Sequence, residues 1–371
     1  MEKILFERGS FQFKLTAGEV PDKLMKLINE TWLGSKGLRY RHGRVEDRLT
    51  NMQNPYHLTL YRGRDILGNI TYGRYQSQNV FGKANSYYIR YFAFKNTLKT
   101  STKEKENTQG NSVIKKITGR VLFQHPAEQA VNFGEDVNDP AYHYAFIEPD
   151  NMRSLHHAFG FNLKATRKFE TLPFFRLKPR EIVDCKAVVN DDEKEEVKAL
   201  LTDFYSDHNG VIFHYLFRED GYFTVRNNKG EIVAGCQAND CLFHITDTGS
   251  KLFNGIVKVL KATGLDKKIL DVGNLRFLSF DHVYYKPGYE KVLIDLFETL
   301  LSKFNLSLSL MFYDSDSPVL KMLKNSGKLG WIYRFYTASP NVVLTHNLNL
   351  TDEQEKSLEK HPWFIASYDV T

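Results

Sequence analysis

The amino-acid sequence repeats one order of predicted secondary structure in its two halves. Each half begins with a strand and a helix, and continues with a hairpin, a buried strand, a helix, a strand and a short helix. The order starts at Ile4 in the first half and at Ile182 in the second, and Pro179 marks the boundary. Because 371 residues exceed one ordinary domain of roughly 100 to 200 residues, we predict two α/β domains, residues 1–179 and 180–371.

The composition is that of an ordinary globular protein, with 42% hydrophobic and 25% charged residues. The sequence has no apolar run of about 18 residues, which a membrane-spanning helix requires. The first residues, Met1–Arg8, lack the apolar stretch of a secretory signal, so we expect a cytoplasmic protein without membrane association. Three cysteines, Cys185, Cys236 and Cys241, are too few for a disulfide framework or a tetrahedral metal site, and no metal is expected.

One stretch of the chain is densely basic, and it contains Arg39, Arg41, His42, Arg44 and Arg48. Such a cluster can face a phosphate or an acidic substrate, although a solvated loop with scattered ion pairs is the expected structure. Nucleic-acid binding requires a denser basic face or a recognisable module. The sequence has neither, so no nucleic-acid partner is expected.

A predicted buried strand, Tyr87–Phe94, is followed by a polar stretch and then by a predicted helix, Asn111–Phe123. Gly110 stands immediately before this helix. The free backbone N–H groups and the positive end of the helix dipole favour a phosphate there, and glycine allows a close approach. A single glycine at a helix start is more often plain capping, so this glycine alone does not indicate a phosphate site.

A second motif follows the predicted strand Tyr142–Ile147. Asn151 comes next, Ser154 lies three residues later in a short predicted helix, and Gly160–Phe161 closes that helix. In type and order these residues resemble the GNAT superfamily of acyl-CoA N-acyltransferases. The resemblance implies a fold of the α/β class (an α+β mixed sheet). Each half would have a mostly antiparallel sheet with a splayed parallel central pair and flanking helices.

The resemblance also implies where a coenzyme A thioester would bind. Main-chain groups of Phe92, Ala93 and Phe94 would bind the pantetheine amides, and Asn151 would stand near the pantetheine arm. The pyrophosphate would contact Gln109, Gly110, Asn111, Ser112 and Val113. Acetyl-CoA, or another acyl-CoA, is the implied cosubstrate, and an unidentified amine is the implied acceptor.

Some residues depart from the family pattern. Asn107 stands where the pyrophosphate loop usually has Arg or Gln, and Ser112 stands where Gly or Ala is usual. His156 aligns with the tyrosine that protonates the leaving thiolate in many members, although a surface histidine is the alternative. The predicted strand Tyr87–Phe94 has no carboxylate, so Glu148, Asp150 or a tyrosine-bound water would have to serve as the base.

The second half matches the pattern less well. Pro287–Gly288 makes a poor pyrophosphate cradle, and Asp316 places a negative charge where an Asn is usual. We expect this half to shape a substrate cleft, and to replace the partner subunit of single-domain members, which predicts a monomer with a dimer as the alternative. The predicted function is transfer of an acetyl or other acyl group from coenzyme A to a primary amine by direct attack. The alternatives are a non-catalytic binding protein, and a transferase that uses aminoacyl-tRNA or long-chain acyl-CoA.

Overall fold

Runs rich in β-branched and aromatic residues form the strands of one mixed sheet. The computed structural model describes residues 2–34, 38–94, 136–248, 271–336 and 339–370. The strands are β1 Glu2–Arg8, β2 Phe11–Ala17, β3 Leu38–His42, β4 Tyr56–Arg62, β5 Asp65–Asn79, β6 Gly82–Phe94, β7 Ala141–Ile147, β8 Lys164–Phe175, β9 Lys186–Ala187, β10 Tyr222–Arg226, β11 Ile232–Thr248, β12 Leu275–Tyr285, β13 Leu308–Asp314 and β14 Asn341–Asn349. The helices are α1 Asp22–Asn29, α2 Val45–Thr50, α3 Met152–Gly160, α4 Asp191–Phe204, α5 Glu290–Lys303, α6 Pro318–Asn325, α7 Asp352–Lys360 and α8 Ser367–Val370.

Several of these elements begin where the sequence predicts. Asn190 caps α4, because its side chain accepts a hydrogen bond from the backbone N–H of Glu193 at 2.8 Å. Thr351 and Gln354 form the reciprocal capping box that opens α7. The sequence also predicts a hairpin over residues 56–75 and helices over residues 152–159, 290–304 and 317–325, and these are confirmed as β4–β5, α3, α5 and α6.

Other elements differ from the prediction. The sequence predicts a strand over Trp331–Thr337, and this prediction is wrong, because Ile332–Phe335 form a 3-10 helix. Gly330, just before it, has a φ of 93° and lies so close to the carbonyl of Phe175 that a Cβ would be 2.3 Å from that oxygen, which turns the chain onto β8. The predicted helix Asn111–Phe123 lies outside the described residues.

Two pairs of parallel strands diverge within the sheet. β6 pairs with β7 only from Asn85 to Tyr88, and β12 pairs with β13 at Leu278. Beyond these points each first strand has a bulge, at Tyr91 with a φ of 51° and at His282 with a φ of 45°, where its pairing with the strand on its other side shifts. The predicted fold class, a mostly antiparallel sheet with splayed parallel pairs and flanking helices, is therefore confirmed.

The sheet continues across residue 179. Its order is β1-β2-β4-β5-β6-β7-β14-β8-β13-β12-β11-β10-β9, with β3 paired to β11. β14, from the second half of the chain, lies between β7 and β8 of the first half, and β8 continues to pair with β13. Strands of the two predicted domains thus pair with each other at several places in the sheet, and the division into 1–179 and 180–371 stays a prediction.

The basic stretch is not the solvated loop that we expected. Its first residues form β3, which pairs with β11, and its last residues form α2. Arg48 is 3% exposed, and Arg44 forms an ion pair of 2.8 Å with Asp240. The sequence pattern gave the wrong result because the partners of these arginines lie about two hundred residues away or more. None of the helices in the described ranges is long and apolar enough to cross a membrane.

Candidate functional site

A cavity of about 240 Å³ lies where β6 and β7 diverge. Because the two strands no longer bond to each other beyond Tyr88, the gap between them is open to side chains from several elements. β6, β7 and α3 supply much of the wall, with Ile89, Arg90, Tyr91, Ala145, Phe146, Ile147, Ser154 and Ala158. β3 contributes Tyr40 and His42, and the last described residues contribute Asp369 and Val370.

The cavity reaches both faces of the sheet, and the two faces differ in polarity. Ile89 packs in an apolar cluster with Tyr72 and Phe161 on one face. The next residue, Arg90, points to the other face, where its Nη1 donates to the carbonyl of Tyr368 at 2.9 Å. The gap therefore joins an apolar compartment to one that contains buried charges.

Asp369 is the most deeply buried carboxylate of the cavity wall, with 2% of its surface exposed. Its side chain accepts hydrogen bonds from the hydroxyls of Tyr215 at 3.0 Å, Tyr75 at 3.2 Å and Tyr144 at 3.4 Å. Burial raises its pKa above the ordinary value, and Arg90 opposes that rise. The sequence analysis missed Asp369, because no local pattern around it differs from that of a buried aromatic segment.

Glu148, which the sequence indicates as a candidate base, also lies on the cavity wall. The hydroxyl of Tyr40 donates a hydrogen bond of 3.3 Å to its Oε1. Burial raises the pKa of Tyr40, and the nearby charge of Glu148 raises it further. Tyr40 therefore stays a neutral donor, which fixes the orientation of the carboxylate.

Asn151 and Ser154 lie together at the cavity, at the N-terminus of α3. The side chain of Asn151 caps the helix by accepting a hydrogen bond from the backbone N–H of Ser154 at 3.1 Å. This contact accounts for the spacing of the two residues without any ligand. It also holds the first turn of α3 against the cavity, where helix N–H groups can meet a polar ligand.

Two other predicted site residues, His156 and Ala93, do not line the cavity. His156 is exposed on α3 and is not among the residues that line the cavity. Ala93 lies beyond the bulge and packs with α1 and α2 in a separate cluster, and only the backbone of its neighbours Phe92 and Phe94 is described. The predicted phosphate-binding residues, Gln109 to Val113, lie outside the described ranges. In those ranges no group of His, Cys, Asp and Glu side chains is arranged to hold a metal ion, and the three cysteines are free and buried.

The chain is similar in structure to N-myristoyltransferase of Saccharomyces cerevisiae with bound myristoyl-CoA. Two such structures match with TM-scores of 0.54 and 0.57, each at 11% identity, and cover 92% and 93% of this chain and 84% and 80% of theirs. A third, with bound myristoyl-CoA and inhibitors, matches with a TM-score of 0.56 at 9% identity, and covers 97% of this chain and 87% of its own. The chain has the GNAT fold. No family model and no curated protein matches its sequence.

In this GNAT-fold chain the second diverging pair, β12 and β13, is filled by residues 361–370 of the chain itself. Asp281 of β12 accepts hydrogen bonds from the backbone N–H of Ser367 at 2.9 Å and from its hydroxyl at 2.7 Å. Asp314, at the end of β13, accepts one from the backbone N–H of Trp363 at 3.1 Å. The ring of Phe364 lies 4.7 Å from that of His282. Segment 361–370 thus binds both strands of the pair.

The same segment then reaches the cavity between β6 and β7. Two residues beyond Ser367, the backbone carbonyl of Asp369 accepts a hydrogen bond of 2.8 Å from the hydroxyl of Tyr88. Burial raises the pKa of Asp281 to about 7, and the charge of Asp369 adds to the rise. The two splayed pairs of the GNAT fold are therefore linked by a single short stretch of chain.

Proposed function

We propose that this protein is an acyl-CoA N-acyltransferase that binds its thioester between β6 and β7. The observation that carries the proposal is the cavity at the divergence of these strands, which has the capped N-terminus of α3 on one side and the buried carboxylate of Asp369 on the other. The fold adds support, because the N-myristoyltransferase structures that it resembles hold myristoyl-CoA.

The thioester would lie along the free edge of β6. The backbone groups that face the gap beyond Tyr88 have no bonds to β7 and can pair with the pantetheine amides. The resemblance to the GNAT superfamily assigns these contacts to Phe92, Ala93 and Phe94, with Asn151 beside the pantetheine arm. It assigns the pyrophosphate to Gln109, Gly110, Asn111, Ser112 and Val113.

Asp369 would act as the general base. The acceptor amine enters as an ammonium group and must lose a proton before its nitrogen can attack the thioester carbonyl. A buried carboxylate with a raised pKa is a stronger base than an exposed one, and is suited to take that proton. As the C–N bond forms and the C–S bond breaks, a second proton from the nitrogen goes to the leaving sulfur. The products are an amide and free coenzyme A.

Glu148 would orient the amine rather than deprotonate it. Its carboxylate is held by Tyr40, lies on the same cavity wall as Asp369, and can accept a hydrogen bond from the incoming ammonium group. The proposal assigns no role to His156, which is exposed. The monomeric state and the cytoplasmic location stay predictions from the sequence.

The acyl chain is the part of the proposal that needs the most direct test. Acetyl-CoA is the proposed cosubstrate, and a long-chain thioester is the second candidate, because the apolar compartment at Ile89, Tyr72 and Phe161 offers room for carbon atoms beyond an acetyl group. Titration calorimetry with acetyl-CoA and with myristoyl-CoA compares the two. Tighter binding of one thioester selects it as the cosubstrate.

Two matched variants test the location of the site. Gly110→Glu places a carboxylate at the proposed pyrophosphate contact, and Pro287→Glu places one at an exposed position in the corresponding loop of the second half. We expect the first to abolish thioester binding and the second to leave the affinity within about threefold. An equal loss of thioester affinity in both variants, or unchanged affinity in both, would contradict the proposed site. Release of free thiol in the presence of propylamine and other primary amines then measures transfer.

A further inference from the structure

Tyr368, the residue before Asp369, is held by three arginines from three parts of the chain. Arg48 belongs to α2, Arg90 to β6, and Arg218 to the second half. We propose that Arg48 is a positioning residue, which holds Tyr368 so that the carboxylate of Asp369 is presented to the cavity. The inference rests on the function proposed above, in which Asp369 is the base.

The backbone of residue 368 is fixed by two guanidinium groups. The carbonyl oxygen of Tyr368 accepts a hydrogen bond from Nη1 of Arg48 at 3.2 Å and another from Nη1 of Arg90 at 2.9 Å. A carbonyl has two lone pairs, and both are used here. Because this carbonyl belongs to the peptide bond that leads into Asp369, holding it restricts the position of the next residue.

The side chain of Tyr368 is fixed as firmly as its backbone. The guanidinium carbon of Arg48 lies 3.7 Å from the centre of its ring, and that of Arg218 lies 4.4 Å from it. The phenol hydroxyl donates to Oδ2 of Asp47 at 3.0 Å. Asp47 in turn accepts a hydrogen bond of 2.8 Å from Arg218, which closes a ring of contacts around the tyrosine.

Arg48 contacts both the backbone and the ring of Tyr368. It is 3% exposed, and it also contacts Sγ of Cys241 at 3.3 Å. Burying a guanidinium group costs desolvation free energy, which an apolar side chain would avoid. Arginine offers instead several donors in a rigid plane, and these can fix one residue from two directions.

Asp281 binds Ser367, the residue immediately before Tyr368. Residue 367 is thus attached to β12, residue 368 to α2 and β6, and the Asp369 carboxylate to Tyr75 and Tyr215. Three consecutive residues have three separate attachments. Only the middle one involves α2, so a change at Arg48 tests it without touching the groups that contact Asp369.

The test is a double-mutant cycle on the full-length chain. Arg48→Met, Asp369→Asn and the double variant are compared with the wild type, and Arg226→Met, which removes a surface arginine paired with Glu196, is the control. With propylamine as acceptor, we expect Arg48→Met to lower kcat by about 10- to 100-fold while KM for the thioester changes by less than about threefold. In the Asp369→Asn background the further loss is expected to be below about twofold.

Hydrogen exchange of the peptide that spans residues 366–370 gives a readout that needs no turnover. We expect exchange in Arg48→Met to be at least about tenfold faster than in the wild type, with Arg226→Met unchanged. Arg48→Lys, which keeps the charge but loses the planar donors, is expected to restore only part of kcat and of protection.

Each result decides between the two proposals. Equal losses of kcat in both backgrounds, or unchanged exchange, would overturn the role of Arg48 and leave the proposed function standing. No transfer by the wild type, with exchange accelerated as expected, would contradict the function and support the attachment. If Arg48→Met does not fold, Arg218→Met removes the opposite face of the same tyrosine, and the same cycle applies.

Discussion

The two diverging strand pairs of this protein use the same backbone device for different purposes. β6 and β12 each contain a bulge with one residue in the left-handed region, Tyr91 in the first and His282 in the second. In each case the pairing with the neighbouring parallel strand ends a few residues before the bulge. The gap between β6 and β7 holds a cavity, whereas the gap between β12 and β13 is filled by segment 361–370.

The difference shows that two similar diverging strand pairs in one sheet need not both contain a cavity. In the second pair, the backbone N–H of Trp363 donates to Asp314, and the backbone and side chain of Ser367 donate to Asp281. The chain supplies there what a ligand would supply in the first pair. By filling one gap, the segment is held in place to deliver Asp369 to the other.

The largest expected effect is on the rate of acyl transfer, and it comes from a change at Asp369, beside the cavity between β6 and β7. Asp369→Asn should lower the rate of acyl transfer to propylamine by about 10² to 10⁴, the usual contribution of a general base. Thioester binding should stay within about threefold, since the carboxylate acts on the amine. Hydroxylamine, which is largely uncharged at pH 7, should show a much smaller loss. An equal loss with both acceptors would contradict the assignment.

A packing change tests whether segment 361–370 truly fills the second gap. Phe364 is buried against the rings of His282 and Tyr205. Phe364→Ala should lower the free energy of unfolding by about 3 to 5 kcal/mol, because it leaves a cavity in a core that cannot collapse fully. Phe335→Ala, at a residue that is 62% exposed, is the control. Chemical denaturation of both variants gives the comparison, and equal effects would argue against the filled gap.

The pH dependence of stability tests the carboxylate that anchors the segment. The pKa of Asp281 is raised from 3.8 to about 7, mainly by burial. The unfolded chain releases this proton near pH 4, while the native protein retains it until about pH 7. The native state therefore loses stability as the pH rises between these values.

Asp281→Asn cannot undergo this titration. Between pH 5 and pH 8 its free energy of unfolding should rise relative to that of the wild type by on the order of 1 to 4 kcal/mol. Urea denaturation of both proteins at the two pH values gives the difference. A difference that does not change with pH would show that Asp281 is ionised in the native protein throughout the range.

The smallest expected effect compares the helices that follow the two pairs. Asn151 caps α3 through a side-chain hydrogen bond, whereas Ser317, at the start of α6, makes no such bond. Asn151→Ala should cost about 1 kcal/mol of stability and Ser317→Ala only a few tenths. If the helix start also binds the thioester, only Asn151→Ala should weaken that binding in calorimetry. Equal effects of the two changes on stability and on thioester binding would show that the two helix starts do not differ in function.

Much of the fold could be predicted because its signals are local. The β4–β5 hairpin, the cap at Asn190 and the capping box at Thr351 each depend on residues a few positions apart. The motif from Asn151 to Phe161 is equally local, and it indicated the fold and one wall of the cavity. Glu148 was found for the same reason, since it directly follows a recognisable strand.

The remaining site residues could not be predicted, because their roles depend on contacts between distant parts of the chain. Asp369 is defined by Tyr75, Tyr144 and Tyr215, none of which is near it in sequence. From the sequence alone, Arg48 is predicted to lie in a solvated basic stretch, and only the structure shows its contact with Tyr368. No short-range pattern encodes such a pairing.

The position of β14 has a consequence for synthesis of the chain. During synthesis, β7 is complete at residue 147 and β8 at residue 175. The strand that lies between them, β14, begins only at residue 341. Until then both neighbours present unpaired backbone edges, which are templates for association with other chains. The nascent protein must therefore complete its sheet late, and conditions that slow elongation between these points should make newly made chains more dependent on chaperones.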